Sequence, residues 1–195
     1  MATPDRERAH ALLRRYTKSE SLINHALSVE AVMRHFAERY DEDPEQRGII
    51  GLVHDLDWER YPEEHCEQTT RILREDGWPE EWIRAVRSHA WGMFTEDKPE
   101  HVMEKVLYTT DELTGLITAT ALVRPSRSIL DMKVKSVKKK WKDKSFAAGA
   151  NREVIAAGAE LLGLPLDEVI EETLAGMQRA AARIGLAGEL AADGA

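Results

Sequence analysis

Apolar residues recur at three- and four-residue intervals along almost the whole chain, the pattern of amphipathic helices, and no stretch alternates strictly as a half-buried strand would. The pattern predicts an all-α fold without a fixed-length repeat or a low-complexity linker. A first helix is expected from near Pro4. A second is expected from Ser19 or Ser21, short polar residues suited to capping free amides, with Leu22, Ala26, Val29, Met33 and Phe36 on its apolar face. Pro44 opens a third, which carries Ile49, Ile50, Leu52 and Val53. Pro62, followed by Glu63 and Glu64, predicts a helix through Arg74 that Gly77 ends, and Pro79 predicts another through Trp82, Ala85 and Val86 to His89. A long helix from Pro99 to just before Arg124-Pro125 places Met103, Leu107, Asp111 and Thr114 on one face. From Ser126, the stripe Leu130, Val134, Val137, Trp141 predicts a further helix. Two more follow, one capped by Asn151 and one opened by Pro165 with Leu166, Ile170, Thr173, Met177 and Ile184 on one face.

A length of 195 residues favours a single domain over 1–195, with the core in 20–120 and a C-terminal helical extension in 121–195. With 43% hydrophobic and 32% charged residues, the composition is that of neither a disordered chain nor a membrane protein. The longest run free of charged residues, Leu113 to Val123, is 11 residues; a bilayer requires ~20. The opening MATPDRERAH lacks the apolar run of a secretory signal, so a cytoplasmic location is expected. Cys66 is the single cysteine, which excludes an intrachain disulfide and leaves nitrogen and oxygen as the expected donors for any metal. A net charge of −8 argues against general nucleic-acid binding, although nine Lys/Arg face only Asp131 and Asp143 between Arg124 and Lys144.

Candidate chemistry lies where the periodicity delivers ionisable groups to core-facing positions or helix ends. In GLVHDLDWER, residues 51 to 60, an apolar run ends in His54 and Asp55 side by side. His25 flanks the Leu22/Ala26/Val29 face, His65 lies near Thr69 and Ile72, His89 follows Val86, and Asp111 stands where leucine would normally serve. Burying such groups costs several kcal/mol each unless they are paired or coordinate a metal. A shared metal relieves that cost for all of them, and the mixed imidazole and carboxylate set suits Fe, Mn, Co or Zn, with Mg less suited. By contrast His10, His35 and His101 are expected at the surface.

The ordered set His25, His54-Asp55, His65, His89, Asp111 resembles the HD superfamily of metal-dependent phosphohydrolases, over roughly residues 20 to 120. The stretches LTGLITATALVRPS and VKSVKKKWKDKSFA extend the likeness to a smaller group of predicted hydrolases without a settled substrate. The resemblance implies an HD-domain-like helical bundle. It assigns one divalent metal to His25, His54, Asp55 and Asp111, and a second to His65 and His89 with Asp55 bridging. It implies hydrolysis of a phosphomonoester or phosphodiester, plausibly a nucleotide, by a metal-activated water, so the expected partner is a small anionic phosphate compound.

Asp55 and Asp57 are the expected catalytic carboxylates, Asp57 by orienting a metal-bound water or protonating a leaving oxygen; Glu59 is close enough for the same role, and for Asp57 and Glu59 the alternative is a pair of solvated loop acids. Arg124, Lys135 and Lys138 are the expected phosphate-binding cations, against the alternative of a solvated helix face. Trp58 and Trp91, each within four residues of a proposed ligand, are the tryptophans placed to stack on a base. Two other functions fit the same ligands: a mixed-valent di-iron oxygenase, and a non-catalytic metal-stabilised module that binds a nucleotide.

Overall fold

A computed structural model describes residues 4–189. The described residues form nine α-helices: α1 (Arg6–Tyr16), α2 (Glu20–Arg39), α3 (Pro44–Leu52), α4 (Glu67–Glu75), α5 (Glu80–Ser88), α6 (Val102–Leu122), α7 (Val134–Trp141), α8 (Arg152–Leu162) and α9 (Leu166–Arg179). Among the described residues the β-type pairing is an isolated bridge between Trp91 and Thr95. No described helix is long and apolar enough to cross a membrane.

The two longest helices, α2 and α6, form the centre and pack on each other; α3 and α9 cover α2, while α5, α7 and α8 cover α6. Val29, Val32, Met33 and Phe36 of α2 are wholly buried, as are Met103, Leu107, Leu113 and Ile117 of α6. Removing each such side chain from water contributes about 1.5–3 kcal/mol, so this pair of faces dominates the core. Helices α8 and α9 feed Ile155, Ala159, Ile170 and Met177 into the same cluster, so the chain after residue 121 shares the core of 20–120. Helix α1 is tied on by Arg6, whose guanidinium meets the buried Glu30 of α2 through two bonds of 2.6 and 2.9 Å, with Arg34 completing the carboxylate's partners.

Two glycines permit close helix approaches that fix the site. A Cβ at Gly51 would lie 2.9 Å from Met33 Cγ and 3.2 Å from Val29 O, so the last turn of α3 can rest directly on α2. A Cβ at Gly158 would lie 2.1 Å from Thr109 Oγ1, which holds α8 against α6.

Three helix starts depart from the periodicity, one because a left-handed residue intervenes and two because side-chain bonds compete with the backbone ladder. The expected helix from Pro62 to Arg74 is broken: a 3₁₀ turn, Pro62–Glu64, is followed by extended His65 and by Cys66 at φ 67°, and α4 starts only at Glu67. The long helix starts at Val102 rather than Pro99, because His101 accepts from Met103 N and Glu104 reciprocates in a capping box. The helix expected from Ser126 is confined to Val134–Trp141: Arg124 and Ser126 hold the Asp131 carboxylate, Ile129 N donates to Leu186 O, and Leu130 is left 46% exposed. At the C-terminal end α9 stops at Arg179, and Ile184 is buried after a turn rather than on the helix.

Candidate metal centre

His25 projects from α2, Asp111 from α6, and His54 and Asp55 from the turn just past α3; His65 precedes α4 and His89 caps the C-terminus of α5. Elements distant in sequence thus deliver all six predicted ligands to one place. The imidazole rings of His25, His54, His89 and His65 follow one another at centroid distances of 5.2, 5.0 and 5.1 Å.

Their tautomers follow from what holds each Nδ1. In His54 and His89 it faces a carbonyl, Gly51 O at 2.8 Å and Val86 O at 2.5 Å, and a carbonyl can only accept, so both nitrogens donate. His65 Nδ1 donates to Asp57 Oδ1 at 2.8 Å. Thr114 donates its hydroxyl proton to Asp111 O at 2.7 Å and so accepts from His25 Nδ1 at 3.3 Å. Every Nε2 lone pair is therefore turned inward.

What those lone pairs meet decides what the cluster is suited to. His25 Nε2 lies 2.9 Å and His54 Nε2 3.2 Å from Asp111 Oδ1, and both face Asp55 Oδ2, at 3.8 and 3.4 Å. His65 Nε2 and His89 Nε2 face the other oxygen, Asp55 Oδ1, at 3.6 and 3.4 Å, and stand 3.0 Å from each other. Two lone pairs at that distance repel, and lone pairs aimed at carboxylate oxygens do so too, unless a proton or a metal cation lies between. The overlapping groups His25/His54/Asp55, His54/His89/Asp111 and His65/Cys66/His89 each have the reach to hold a metal ion. Imidazoles fixed through the far nitrogen, with carboxylates between them, are the usual outer support of a metal centre.

Without a metal, protons have to balance the charges. Burial disfavours the His54 imidazolium, but Asp55 and Asp111 outweigh it and hold the pKa well above the ordinary histidine range. Burial likewise opposes ionisation of Asp55 and Asp111, yet His54 beside them keeps both carboxyls well below their usual range. Cys66 differs: burial, reinforced by the negative Asp55 and Asp57, pushes its thiol up, so a thiolate ligand is disfavoured although its sulfur lies 3.6 Å from His65 Nε2.

The cavity above these residues has a volume of about 440 Å³, and its walls include Leu22, Trp58, Met93, Phe94 and Glu112. Glu112 escaped the sequence reading, although it adjoins Asp111. Burial, with the charge of Asp111 adding, pushes its carboxyl up to about 7, and its Oε2 accepts from Asn151 N at 2.9 Å. Ala147, Gly149 and Ala150 close another side. Their loop is held by the Arg152 guanidinium, which donates to the carbonyls of Trp141, Phe146, Ala147 and Ala150.

Other predicted residues lie elsewhere. Asp57 is wholly buried, neither a solvated loop acid nor a wall of the cavity: one oxygen accepts from His65 Nδ1 and the other from Thr69 N at 2.8 Å, so it positions His65. Glu59 accepts from the backbone of Lys18 and Ser19 and caps the start of α2. Arg124 is spent on Asp131 and Lys138 on Asp167, while Lys135 is exposed; none of the three lines the cavity, which has no Lys or Arg in its wall. The structure does not bring the three expected phosphate-binding residues to the cavity: α7 turns Val137 inward, with Lys138 paired to α9 and Lys140 over the Phe146 ring. Trp58 lines the cavity; Trp91 instead packs on Tyr108. Of the histidines expected at the surface, His101 caps α6, His10 is half-buried on α1, and His35 pairs with Glu172 of α9 at 2.6 Å.

Compared with known proteins, the chain matches no family model, and no curated protein or solved structure is significantly similar to it. The helical architecture with its cluster of histidines and aspartates is consistent with an HD-like fold.

Proposed function

We propose that this protein is a metal-dependent hydrolase of phosphate esters. The observation that carries the reading is the convergence of four Nε2 lone pairs on the two carboxylates, with each Nδ1 already committed to an acceptor. The histidines divide into two sets along the Asp55 carboxylate: His25 and His54, which also meet Asp111, face Oδ2, and His65 and His89 face Oδ1. This division supports two divalent ions sharing Asp55. Such a pair would polarise a phosphoryl oxygen and make a water acidic enough to attack phosphorus near pH 7, its pKa falling from about 15.7 toward roughly 7.

The chain supplies orientation and an apolar rim. Gly51 O, Val86 O, Thr114 Oγ1 and Asp57 Oδ1 fix the four rings, while Trp58, Met93 and Phe94 shield the approach to His65. No nucleophilic side chain is called for, since the Cys66 thiol is buried and its ionisation disfavoured.

The test is metal analysis of protein purified without chelator or nickel resin, followed by phosphatase and phosphodiesterase assays with Mn, Co, Fe and Mg. Ester hydrolysis that requires added metal and stops with EDTA is the expected result. Two irons with dioxygen-dependent turnover and no hydrolysis would replace the reading with an oxygenase, and ligand binding without any turnover would replace it with a binding module.

A further inference from the structure

A second cavity, of about 290 Å³, lies beside the first, and His25 and Gly115 line both. Its remaining walls include Ser21, Asn24, Ser28, Thr118 and Leu122, with Leu186 from the C-terminal turn. The two spaces therefore meet where α2 faces α6, beside the His25 imidazole that reaches into the metal centre.

Gly115 is the residue that packing does not explain. It sits well inside α6, where glycine is less favourable than alanine by about 0.5–1 kcal/mol. Unlike Gly158, whose missing Cβ lets two helices touch, a Cβ at Gly115 would meet nothing within 4 Å. A side chain there would instead project into the junction of the two cavities and separate them.

Charge gives the second observation. Neither cavity has a lysine or arginine in its wall, and the first contains Asp55, Asp111 and Glu112. A group with several negative charges would find neutralisation only at the metal centre, whereas a group with one charge needs no more than that. On one side of the centre Trp58, Met93 and Phe94, which are 40%, 42% and 47% exposed, offer a face for a flat or apolar body. On the other side Ser21, Asn24 and Thr118 offer neutral hydrogen-bonding groups beside the apolar Leu122, Ile184 and Leu186.

We infer that the substrate is a two-armed, singly charged phosphodiester, whose phosphorus lies at the metal centre and whose arms occupy the two cavities, with Gly115 as the residue that admits the second arm. The inference rests on the phosphohydrolase reading and narrows it to diesters. Water adds to phosphorus and one P–O ester bond breaks; the leaving oxygen takes a proton and the phosphate keeps its other ester.

The test uses two probes that cannot be hydrolysed, diphenylphosphinate as the two-armed monoanion and phenylphosphonate as the one-armed dianion. Their binding to the Mn-loaded protein is measured by calorimetry. In parallel, bis(4-nitrophenyl) phosphate and 4-nitrophenyl phosphate are compared as substrates. Diphenylphosphinate is expected to bind at least tenfold tighter than phenylphosphonate, and the diester to have the higher kcat/KM. Gly115→Leu, whose Cβ meets nothing within 4 Å, is expected to raise the Kd for diphenylphosphinate about tenfold and to reduce the diester-to-monoester ratio by a similar factor. Gly115→Ala, the smaller block, should fall between, and thermal melts of both variants report whether they fold. Equal affinity for the two probes, a monoester preference, or no effect of folded Gly115→Leu would overturn this inference while leaving metal-dependent hydrolysis standing. Binding of neither probe with turnover of neither ester would overturn the hydrolase reading and this inference together.

Discussion

Each imidazole of the cluster is held from behind, and the groups behind are unequal. Three Nδ1 atoms rest on neutral oxygens, but His65 donates to a buried carboxylate, Asp57, which makes that ring the most electron-rich donor of the set. Asp57→Asn keeps the shape and removes the charge, and with a single acceptor oxygen it can serve His65 Nδ1 or Thr69 N but not both. It should weaken metal binding at the His65/His89 end about 10- to 100-fold, measured by competition with a chromophoric chelator. Unchanged affinity would reduce Asp57 to a local brace for Thr69. The six ligand candidates were legible in sequence because each interrupts an apolar pattern with a group that is costly to bury. Asp57 was not: a carboxylate two residues past a histidine and aspartate doublet reads as a solvated loop acid until the turn folds it back under His65. Glu112 was hidden by its neighbour Asp111, whose place on the apolar face of α6 drew the whole signal.

At the scale of elements, two glycines within helices make opposite predictions. Gly158→Ala forces a methyl group to within 2.1 Å of Thr109 Oγ1 and should destabilise the fold by about 1–3 kcal/mol in urea titrations. Gly115→Ala meets nothing and should stabilise it by about 0.4–1 kcal/mol. Effects of the same sign would mean that the packing of α6 against α8 is wrong. Periodicity located the helices but misjudged three starts, at Pro62, Pro99 and Ser126, besides the end of α9. At each start a side chain took over a hydrogen bond or a left-handed residue intervened: Cys66 at φ 67° breaks the first, the His101 cap delays the second, and the Asp131 bonds to Arg124 and Ser126 displace the third. A proline marks where a helix is permitted to begin; the cap decides where it does. The break at Cys66 also serves the site, because the turn it makes aims His65 between Asp57 and His89.

Over the whole molecule, charge is sorted by place. The lysines of α7 lie outside and the carboxylates of the cavity inside, a division that the linear charge count could not reveal, because a helix face is assigned only by what packs against it. Away from the site, the buried Glu30 joins α1 to α2. Burial would raise its pKa, but bonds from Arg6 and Arg34 lower it below the usual value of 4.5. With the folded pKa depressed, the pair's contribution is present above the unfolded pKa and is lost as pH falls through the folded one. Glu30→Gln should therefore cost about 2–3 kcal/mol at pH 7, less than the ~3–5 of a wholly buried pair because the arginine ends reach solvent. The gap between mutant and wild type should narrow as pH falls below the unfolded value and close only below the depressed folded one, and a gap independent of pH would contradict the assignment. Metal belongs to the same balance: an ion bound only to the folded chain, at a hundred times its Kd, adds about 2.7 kcal/mol. Chelation should lower Tm, and re-addition of Mn should restore it.

The central claim is that Asp55 joins two sets of donors into one metal centre, and elemental analysis of wild type, Asp55→Ala and His89→Ala tests it most directly. Wild type should carry about two divalent ions per chain, His89→Ala about one and Asp55→Ala close to none, since the shared carboxylate serves both positions. Equal metal content in wild type and folded Asp55→Ala would contradict the account.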